Sequence, residues 1–158
     1  MRDRDSSAYA IRGVRPQDIA ELVALCKEHA HFERVAYDTA AKAERLAEAL
    51  FSASPRLYAW VALVEERGII GYATAAPEYS TWSAREYLHM DCLFVRSASR
   101  GAGVGAGLLH SVVGLARELG CHEVQWQTPQ WNVDASGFYR RHGGADQHKL
   151  RFVLGVAE

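Results

Sequence analysis

The segment with the clearest chemical potential is the glycine-rich run at residues 100–107 (RGAGVGAG). An apolar run precedes it at residues 87–95 (YLHMDCLFV), and apolar residues with helical spacing follow it at 108–119. A strand, a glycine-rich turn and a helix bring backbone N–H groups to the positive end of a helix dipole, where they bind anions. Glycine lacks a Cβ, so a phosphate can approach the backbone closely. The segment therefore predicts a site for a cofactor that carries phosphate groups.

Two common phosphate loops fit this segment poorly. A Walker loop needs Lys followed by Ser or Thr after its last glycine, and here Leu108 and Leu109 follow Gly107. A dinucleotide fingerprint can be placed on residues 101–106, but it expects an acidic residue about 20 positions later to hold a ribose. The next strand, at residues 122–127 (HEVQWQ), ends in tryptophan and glutamine. A plain strand-to-helix turn without a ligand stays open as a further interpretation.

A third pattern fits directly. Residues 100–105 (RGAGVG) match Arg/Gln-x-x-Gly-x-Gly/Ala, the pyrophosphate loop of the GNAT acetyltransferases. Residues 131–144 (WNVDASGFYRRHGG) resemble that family's Asn-x-x-Ala-x-x-Phe-Tyr-x-x-x-Gly segment and depart from it only at Gly144. The two blocks have the family's order and spacing, and the resemblance spans about residues 8–156. Within the family the chain is most similar to the diamine and thialysine (spermidine/spermine-type) acetyltransferases.

The resemblance implies acetyl-CoA as co-substrate and no metal. The backbone from Leu93 to Val95 would lie along the pantetheine arm and supply a donor for the oxyanion. The glycine loop would hold the pyrophosphate, and Asn132 and Ala135 would contact the arm from the other side. The residues expected to bind the coenzyme are Leu93, Phe94, Val95, Arg100, Gly101, Ala102, Gly103, Val104, Gly105, Ala106, Asn132, Ala135 and Tyr139.

Tyr139 is the candidate general acid. Acetyl transfer from a thioester to an amine expels a thiolate, which a positioned acid can protonate. A phenol is protonated at neutral pH and can therefore donate. Composition alone would make Tyr139 a buried aromatic beside Phe138, and its place in the second block favours the catalytic role.

Asp91 is the second candidate catalytic residue and also a candidate for binding the substrate. A carboxylate inside an apolar strand is costly unless it is paired or faces a wet cleft. It could bind a cationic amine or relay its proton through water, or form a structural ion pair with an arginine. In the resembling polyamine enzymes this position is Glu. Strict alternation places His89, Asp91, Leu93 and Val95 on one face of the strand, and Leu88, Met90, Cys92 and Phe94 on the other.

Glu33 matches an acidic residue on the substrate side of the resembling enzymes, although a solvated charge at a helix end explains it equally well. A metal site built from His29, His31, Glu33 and His89 is conceivable, but their spacing matches no standard pattern. We therefore predict no metal and expect these histidines to be solvated at the helix end.

Composition sets broad limits. The chain has 158 residues, 49% hydrophobic and 23% charged, with a formal net charge of −1. These values indicate one soluble globular domain and argue against a nucleic-acid surface. The apolar runs are too short to span a membrane. Three widely spaced cysteines indicate neither a disulfide framework nor a zinc site, so we expect a cytoplasmic protein. Residues 1–7 are charged and are expected to form a disordered lead without a signal core.

The remaining pattern predicts an α/β chain, a single domain over residues 8–158. The resemblance implies a GNAT fold: a mixed, mostly antiparallel sheet flanked by helices on both faces and splayed where the coenzyme binds. The expected strands are 8–14, 57–65, 69–77, 87–95, 122–127 and 149–156, with a loop at 77–83. The expected helices begin at Pro16, at Ala40, at Val104 and near Asn132.

The predicted function is acetyl-CoA-dependent N-acetylation of a small amine, such as a polyamine or thialysine, by direct transfer. The acceptor could instead be an aminoglycoside-type antibiotic or the amine of an amino acid. A non-enzymatic alternative is an acyl-CoA-binding sensor. The acceptor pocket should come from residues 28–40 and 77–87. Many relatives dimerise, so the resemblance also implies a homodimer as one possible assembly.

Overall fold

The computed structural model describes residues 8–156, and the lead expected at residues 1–7 lies outside them. The chain divides into two compact units, the first ending at Gln127 and the second beginning at Thr128. No helix in the described part of the chain is long and apolar enough to cross a membrane.

Strands and helices of the first unit follow the predicted order. Its strands are β1 (Ala10–Gly13), β2 (Tyr58–Val64), β3 (Gly68–Ser80), β4 (Arg85–Val95) and β5 (Val124–Gln125). Its α-helices are α1 (Ile19–Phe32), α2 (Lys42–Phe51) and α3 (Val104–Glu118). The second unit contains α4 (Val133–Arg141).

The sheet runs in the order β1-β2-β3-β4-β5. The pairs from β1 to β4 are antiparallel, whereas β4 and β5 are parallel. The prediction of a mixed, mostly antiparallel sheet is therefore confirmed.

Helices cover both faces of this sheet. On one face, Tyr72 of β3 belongs to a buried cluster with Leu22 and Leu25 of α1. On the other face, Gly71 lies against Leu108 of α3. Successive residues of a strand point to opposite faces, so these two neighbours in β3 locate the two helical layers.

Charged side chains fix α1 against the ends of β3 and β4. The guanidinium of Arg96 donates to both carboxylate oxygens of Glu28, at 2.8 and 3.0 Å, and to the carbonyl of Ile69 at 2.8 Å. Near the other end of the helix, the carboxylate of Glu21 accepts from the N–H of Ile69 at 3.0 Å. These contacts determine where the last turn of α1 lies relative to β4.

Three expected elements differ in the structure. The prediction of a loop at 77–83 is wrong, because β3 and β4 continue their pairing to Ser80 and Arg85 and leave a short turn between them. The strand at 122–127 is reduced to the two residues of β5.

The prediction of a final strand at 149–156 is also wrong. These residues form no regular element, and their large apolar side chains are between 83% and 89% exposed. A strand needs a hydrogen-bonded neighbour, and the described part of the second unit contains one helix and no strand to provide it.

Close packing at Gly71 generates a stability prediction. A Cβ added there would lie 2.8 Å from the backbone oxygen of Phe94 and 3.4 Å from Cδ1 of Leu108. Gly71→Ala should therefore destabilise the protein by about 1–3 kcal/mol, the usual cost of overpacking. The measurement is the free energy of unfolding from urea denaturation.

Gly114→Ala is the matched control, because Gly114 lies in α3 with nothing within 4 Å of the added Cβ. It should stabilise the helix by about 0.5–1 kcal/mol. Equal unfolding free energies for Gly71→Ala and the wild type would contradict the close approach of β3 to β4.

Candidate functional site

The glycine loop presents backbone donors at the start of α3. Gly101 and Gly103 have φ angles of +80° and +83°, which residues other than glycine rarely adopt. In the described part of the chain, the N–H groups of residues 101–106 donate to no protein acceptor. They lie at the positive end of a 15-residue helix. This arrangement can bind an anion with more than one negative charge.

Among the described residues, no strand covers the outer edge of β4 beside this loop. β5 pairs with β4 only at Leu88 and His89. The N–H of Arg96 donates to the carbonyl of Ile70 in β3. Backbone groups of an antiparallel strand alternate between its two edges, so those of Leu93 and Val95 point to the open edge. Those of Phe94 point to β3. A ligand with amide groups can therefore pair with Leu93 and Val95.

Arg100 connects the loop to β4. Its Nε donates to the carbonyl oxygen of Val95 at 2.8 Å, and its guanidinium lies 4.8 Å from the ring centroid of Phe32. The two terminal nitrogens donate to no protein acceptor in the described residues, so they can still bind an anion.

Asp91 lies at a β-bulge, and this corrects the predicted alternation in β4. Thr74 is opposite Cys92, and the next residue, Ala75, is opposite Met90, so Asp91 has no opposite residue. Paired residues share a face. Met90 therefore lies on the face of Leu93, not on that of Cys92 as strict alternation predicted. A bulge of this kind redirects a side chain.

The Asp91 side chain is 66% exposed, and one of its oxygens lies 3.8 Å from Nε2 of His89. No arginine pairs with it among the described residues, so the structural ion pair with an arginine is not found. A carboxylate in this position can bind a cation or accept a proton.

Glu33 comes close to a buried histidine that sequence reasoning had placed in solvent. The last turn of α1 directs His29 inward, and its side chain is only 13% exposed. Nδ1 of His29 lies 2.8 Å from Oη of Tyr72, and Nε2 lies 3.3 Å from Oε1 of Glu33. The expectation of a solvated His29 is therefore wrong.

Burial shifts the pKa values around His29. Desolvation lowers the pKa of His29, although Glu33 and Asp91 oppose this shift. Desolvation raises the pKa of Tyr72 and raises that of Cys92 to about 12. At neutral pH the imidazole is therefore uncharged, while the phenol and the thiol keep their protons. Both predicted carboxylates, Glu33 and Asp91, act electrostatically on the same imidazole, so the fold brings them together.

The sequence did contain a pattern that indicates the burial of His29. Leu22, Cys26, His29 and Glu33 recur at intervals of three and four residues, which places them on one face of α1. That face belongs to the core, since Leu22 is fully buried. Its partner Tyr72 is 43 residues away in sequence, and no local pattern indicates the pairing.

The second unit carries the remaining expected site residues on α4. Asn132 caps this helix, because its Oδ1 accepts from the N–H of Ala135 at 3.2 Å. Tyr139 lies in the last turn of the helix, with its ring 5.3 Å from that of Phe138 in an edge-to-face arrangement. The expected start of a helix near Asn132 is confirmed.

Among the described residues, no group of three or more His, Cys, Asp or Glu side chains is arranged to hold a metal ion.

Comparison with known proteins identifies the family. The model of the acetyltransferase (GNAT) family matches residues 18–144, which include the glycine loop and α4. The thialysine N-epsilon-acetyltransferase of Mus musculus is 27% identical over 143 residues, covering 86% of this chain and 84% of that enzyme. The D-amino-acid N-acetyltransferase of Saccharomyces cerevisiae is 27% identical over 134 residues, covering 83% and 81%.

The fold agrees with this match. The crystal structure of an aminoglycoside acetyltransferase from an uncultured soil metagenomic sample aligns with a TM-score of 0.79 and 21% identity. The alignment covers 97% of this chain and 99% of that chain, and it shows likeness of fold alone. Since the family match spans most of the sequence, the protein is an acetyltransferase that belongs to the GNAT family.

Proposed function

We propose that the protein transfers an acetyl group from acetyl-CoA directly to the nitrogen of a small cationic amine. The observation that carries this proposal is the open edge of β4, which leads into the unpaired N–H groups of the glycine loop. Acetyl-CoA has amide groups along its arm and a pyrophosphate beyond them, in the order that strand and loop provide. The coenzyme supplies the acetyl group as a thioester.

The loop and the strand hold different parts of this coenzyme. The N–H groups of residues 101–106 bind the pyrophosphate, and the terminal nitrogens of Arg100 add positive charge. Leu93 and Val95 pair with the amide-bearing arm along the open edge. An N–H on this edge also stabilises the oxyanion that forms during transfer, because a fixed backbone donor needs no reorganisation.

Two carboxylates select the acceptor. Small alkylamines are cations in neutral water and must lose a proton before they attack. Asp91 is exposed on the bulge and Glu33 lies at the end of α1, and both charges act on His29. They attract the cation, and Asp91 accepts its proton directly or through a water molecule. A diamine, a polyamine or thialysine fits two carboxylates, and the mouse relative acetylates thialysine according to its name.

Residues of α4 complete the proposed reaction. Asn132 and Ala135 contact the coenzyme arm. Tyr139 donates its phenolic proton to the departing thiolate. Proton acceptance at Asp91 and proton donation at Tyr139 keep the transfer balanced, since the amine loses one proton and the thiolate gains one.

Gly103→Asp tests the coenzyme site. A carboxylate here places a negative charge beside the pyrophosphate and strains a backbone with φ of +83°. The affinity for acetyl-CoA, measured by calorimetry, should fall at least tenfold, or about 1.4 kcal/mol. Gly120→Asp is the control, because Gly120 also has a positive φ (+71°) but lies beyond the other end of α3. A folded Gly103→Asp variant with wild-type affinity would disprove the coenzyme site.

Asp91→Asn tests the acceptor site. The amide keeps the shape of the side chain but removes the charge that attracts the amine, so KM for the amine should rise about tenfold. The acetyl-CoA affinity should stay within about twofold of the wild-type value, because Asp91 does not contact the coenzyme in the proposed site. Glu118→Gln removes the same charge from an exposed position on α3 and should leave KM unchanged. Loss of thermal stability with wild-type kinetics would assign Asp91 a structural role instead.

Tyr139→Phe distinguishes an enzyme from a coenzyme-binding sensor. The variant keeps the ring beside Phe138 but removes the acid, so kcat should fall by about two orders of magnitude while acetyl-CoA affinity is preserved. The assay measures CoA release with polyamines, thialysine, D-amino acids and aminoglycosides. A wild-type kcat in the variant, when chemistry limits the rate, would reduce Tyr139 to a packing residue. A wild-type protein that binds acetyl-CoA but acetylates no amine of this panel would be a sensor.

A further inference from the structure

A chain of polar contacts links the interior of the first unit to Glu33. Tyr72 is 1% exposed, and its hydroxyl contacts Nδ1 of His29 at 2.8 Å. The opposite nitrogen, Nε2, contacts Oε1 of Glu33 at 3.3 Å. The imidazole is stacked on the ring of Phe94, with centroids 5.0 Å apart and an angle of 18° between the planes. Its orientation is therefore fixed on both edges and on one face.

For a neutral imidazole, one proton arrangement satisfies all of these contacts. A carboxylate can only accept, so Nε2 of His29 carries the proton that is donated to Glu33. Nδ1 then has a lone pair and accepts from the hydroxyl of Tyr72. Burial raises the pKa of Tyr72, so this hydroxyl keeps its proton. Burial also lowers the pKa of His29, which favours the neutral imidazole that this arrangement requires.

Packing alone does not explain these side chains. A leucine at position 29 and a phenylalanine at position 72 would fill similar space without placing polar atoms in the core, where each one costs free energy unless it is bonded. Here both nitrogens of His29 are bonded, and the bonded chain ends at a carboxylate that is partly exposed. The polar pair therefore acts on Glu33.

We propose that Tyr72 and His29 are positioning residues that hold the carboxylate of Glu33 in place for the cationic acceptor. The inference rests on the proposed function, which places Glu33 on the acceptor side. Tyr72 fixes the tautomer of His29, and His29 then directs one oxygen of Glu33 through its Nε2–H. A neutral imidazole leaves the charge of Glu33 available to the amine.

The same geometry makes acceptor binding sensitive to acid. The charged groups that act on His29 are Glu33 on its own helix, Asp91 on β4 and Arg100 after β4. The other titratable groups nearby are Tyr72 and the thiols of Cys26 and Cys92, which interact with the Tyr72 hydroxyl. A proton on Nδ1 would give His29 a positive charge beside Glu33, in competition with the amine. Because burial lowers the pKa of His29, this competition begins below the usual histidine value of about 6.5.

The experiment compares His29→Leu and Tyr72→Phe with His31→Leu as the matched control, since His31 is an exposed histidine on the same helix. KM for the preferred amine should rise about tenfold in His29→Leu, the usual effect of losing a hydrogen bond to a charged group. Tyr72→Phe should show a smaller rise, and His31→Leu none. Acetyl-CoA affinity should be the same in all four proteins. Below pH 6.5 the acid-induced rise in KM should be smaller in His29→Leu than in the wild type.

A second measurement does not depend on turnover. Nitrogen-15 NMR of the imidazole in the wild-type protein should show the tautomer with the proton on Nε2, and Tyr72→Phe should shift the population away from it. A proton on Nδ1 in the wild type would overturn the proposal. So would an amine KM and an acid response in His29→Leu that match the wild type, with only the melting temperature reduced. A wild-type protein that acetylates no amine would instead defeat the proposed function, and the inference with it.

Discussion

Backbone hydrogen-bonding groups that leave water must find partners, and this constraint shapes the proposed coenzyme site. β3 completes one edge of β4, but β5 completes the other only at Leu88 and His89. The exposed groups of Leu93 and Val95 continue into a loop whose N–H groups donate to no acceptor in the described residues. The carbonyl of Val95 accepts from Nε of Arg100, and the other outward backbone groups of strand and loop form a row without partners in the described residues. A ligand that presents amides and then phosphates satisfies this row in order, which is why the fold suits an acyl-CoA.

The proposed acceptor site depends on a local break in the same strand, the bulge at Asp91. If β4 were regular, Asp91 would face away from Cys92 and from the core beneath α1. The bulge leaves Asp91 without an opposite residue, and its charge then acts on both Cys26 and His29. A single extra residue in β4 thus redirects a carboxylate without ending the pairing of β3 with β4 on either side of it.

Features that depend on neighbouring residues could be predicted from the sequence. Features that depend on contacts between residues far apart in the chain could not. The glycine loop and the helix start near Asn132 were predictable, because each depends on residues within a few positions of one another. The bulge at Asp91 depends on the register between two strands, and the burial of His29 depends on Tyr72, 43 residues away. The strand expected at 149–156 failed for a related reason. Its alternating apolar residues match a strand pattern, but a strand forms only where a neighbour supplies hydrogen bonds.

Phe94 contacts both the β4 edge proposed to bind the coenzyme and the imidazole of His29. Its backbone belongs to the β3–β4 ladder, which turns its neighbours Leu93 and Val95 to the coenzyme edge. Its ring stacks on His29 at 5.0 Å and lies 5.6 Å below the guanidinium of Arg100. Any displacement of β4 by a bound coenzyme would therefore also move the ring that supports His29. Packed side chains transmit such shifts because the interior has little free volume.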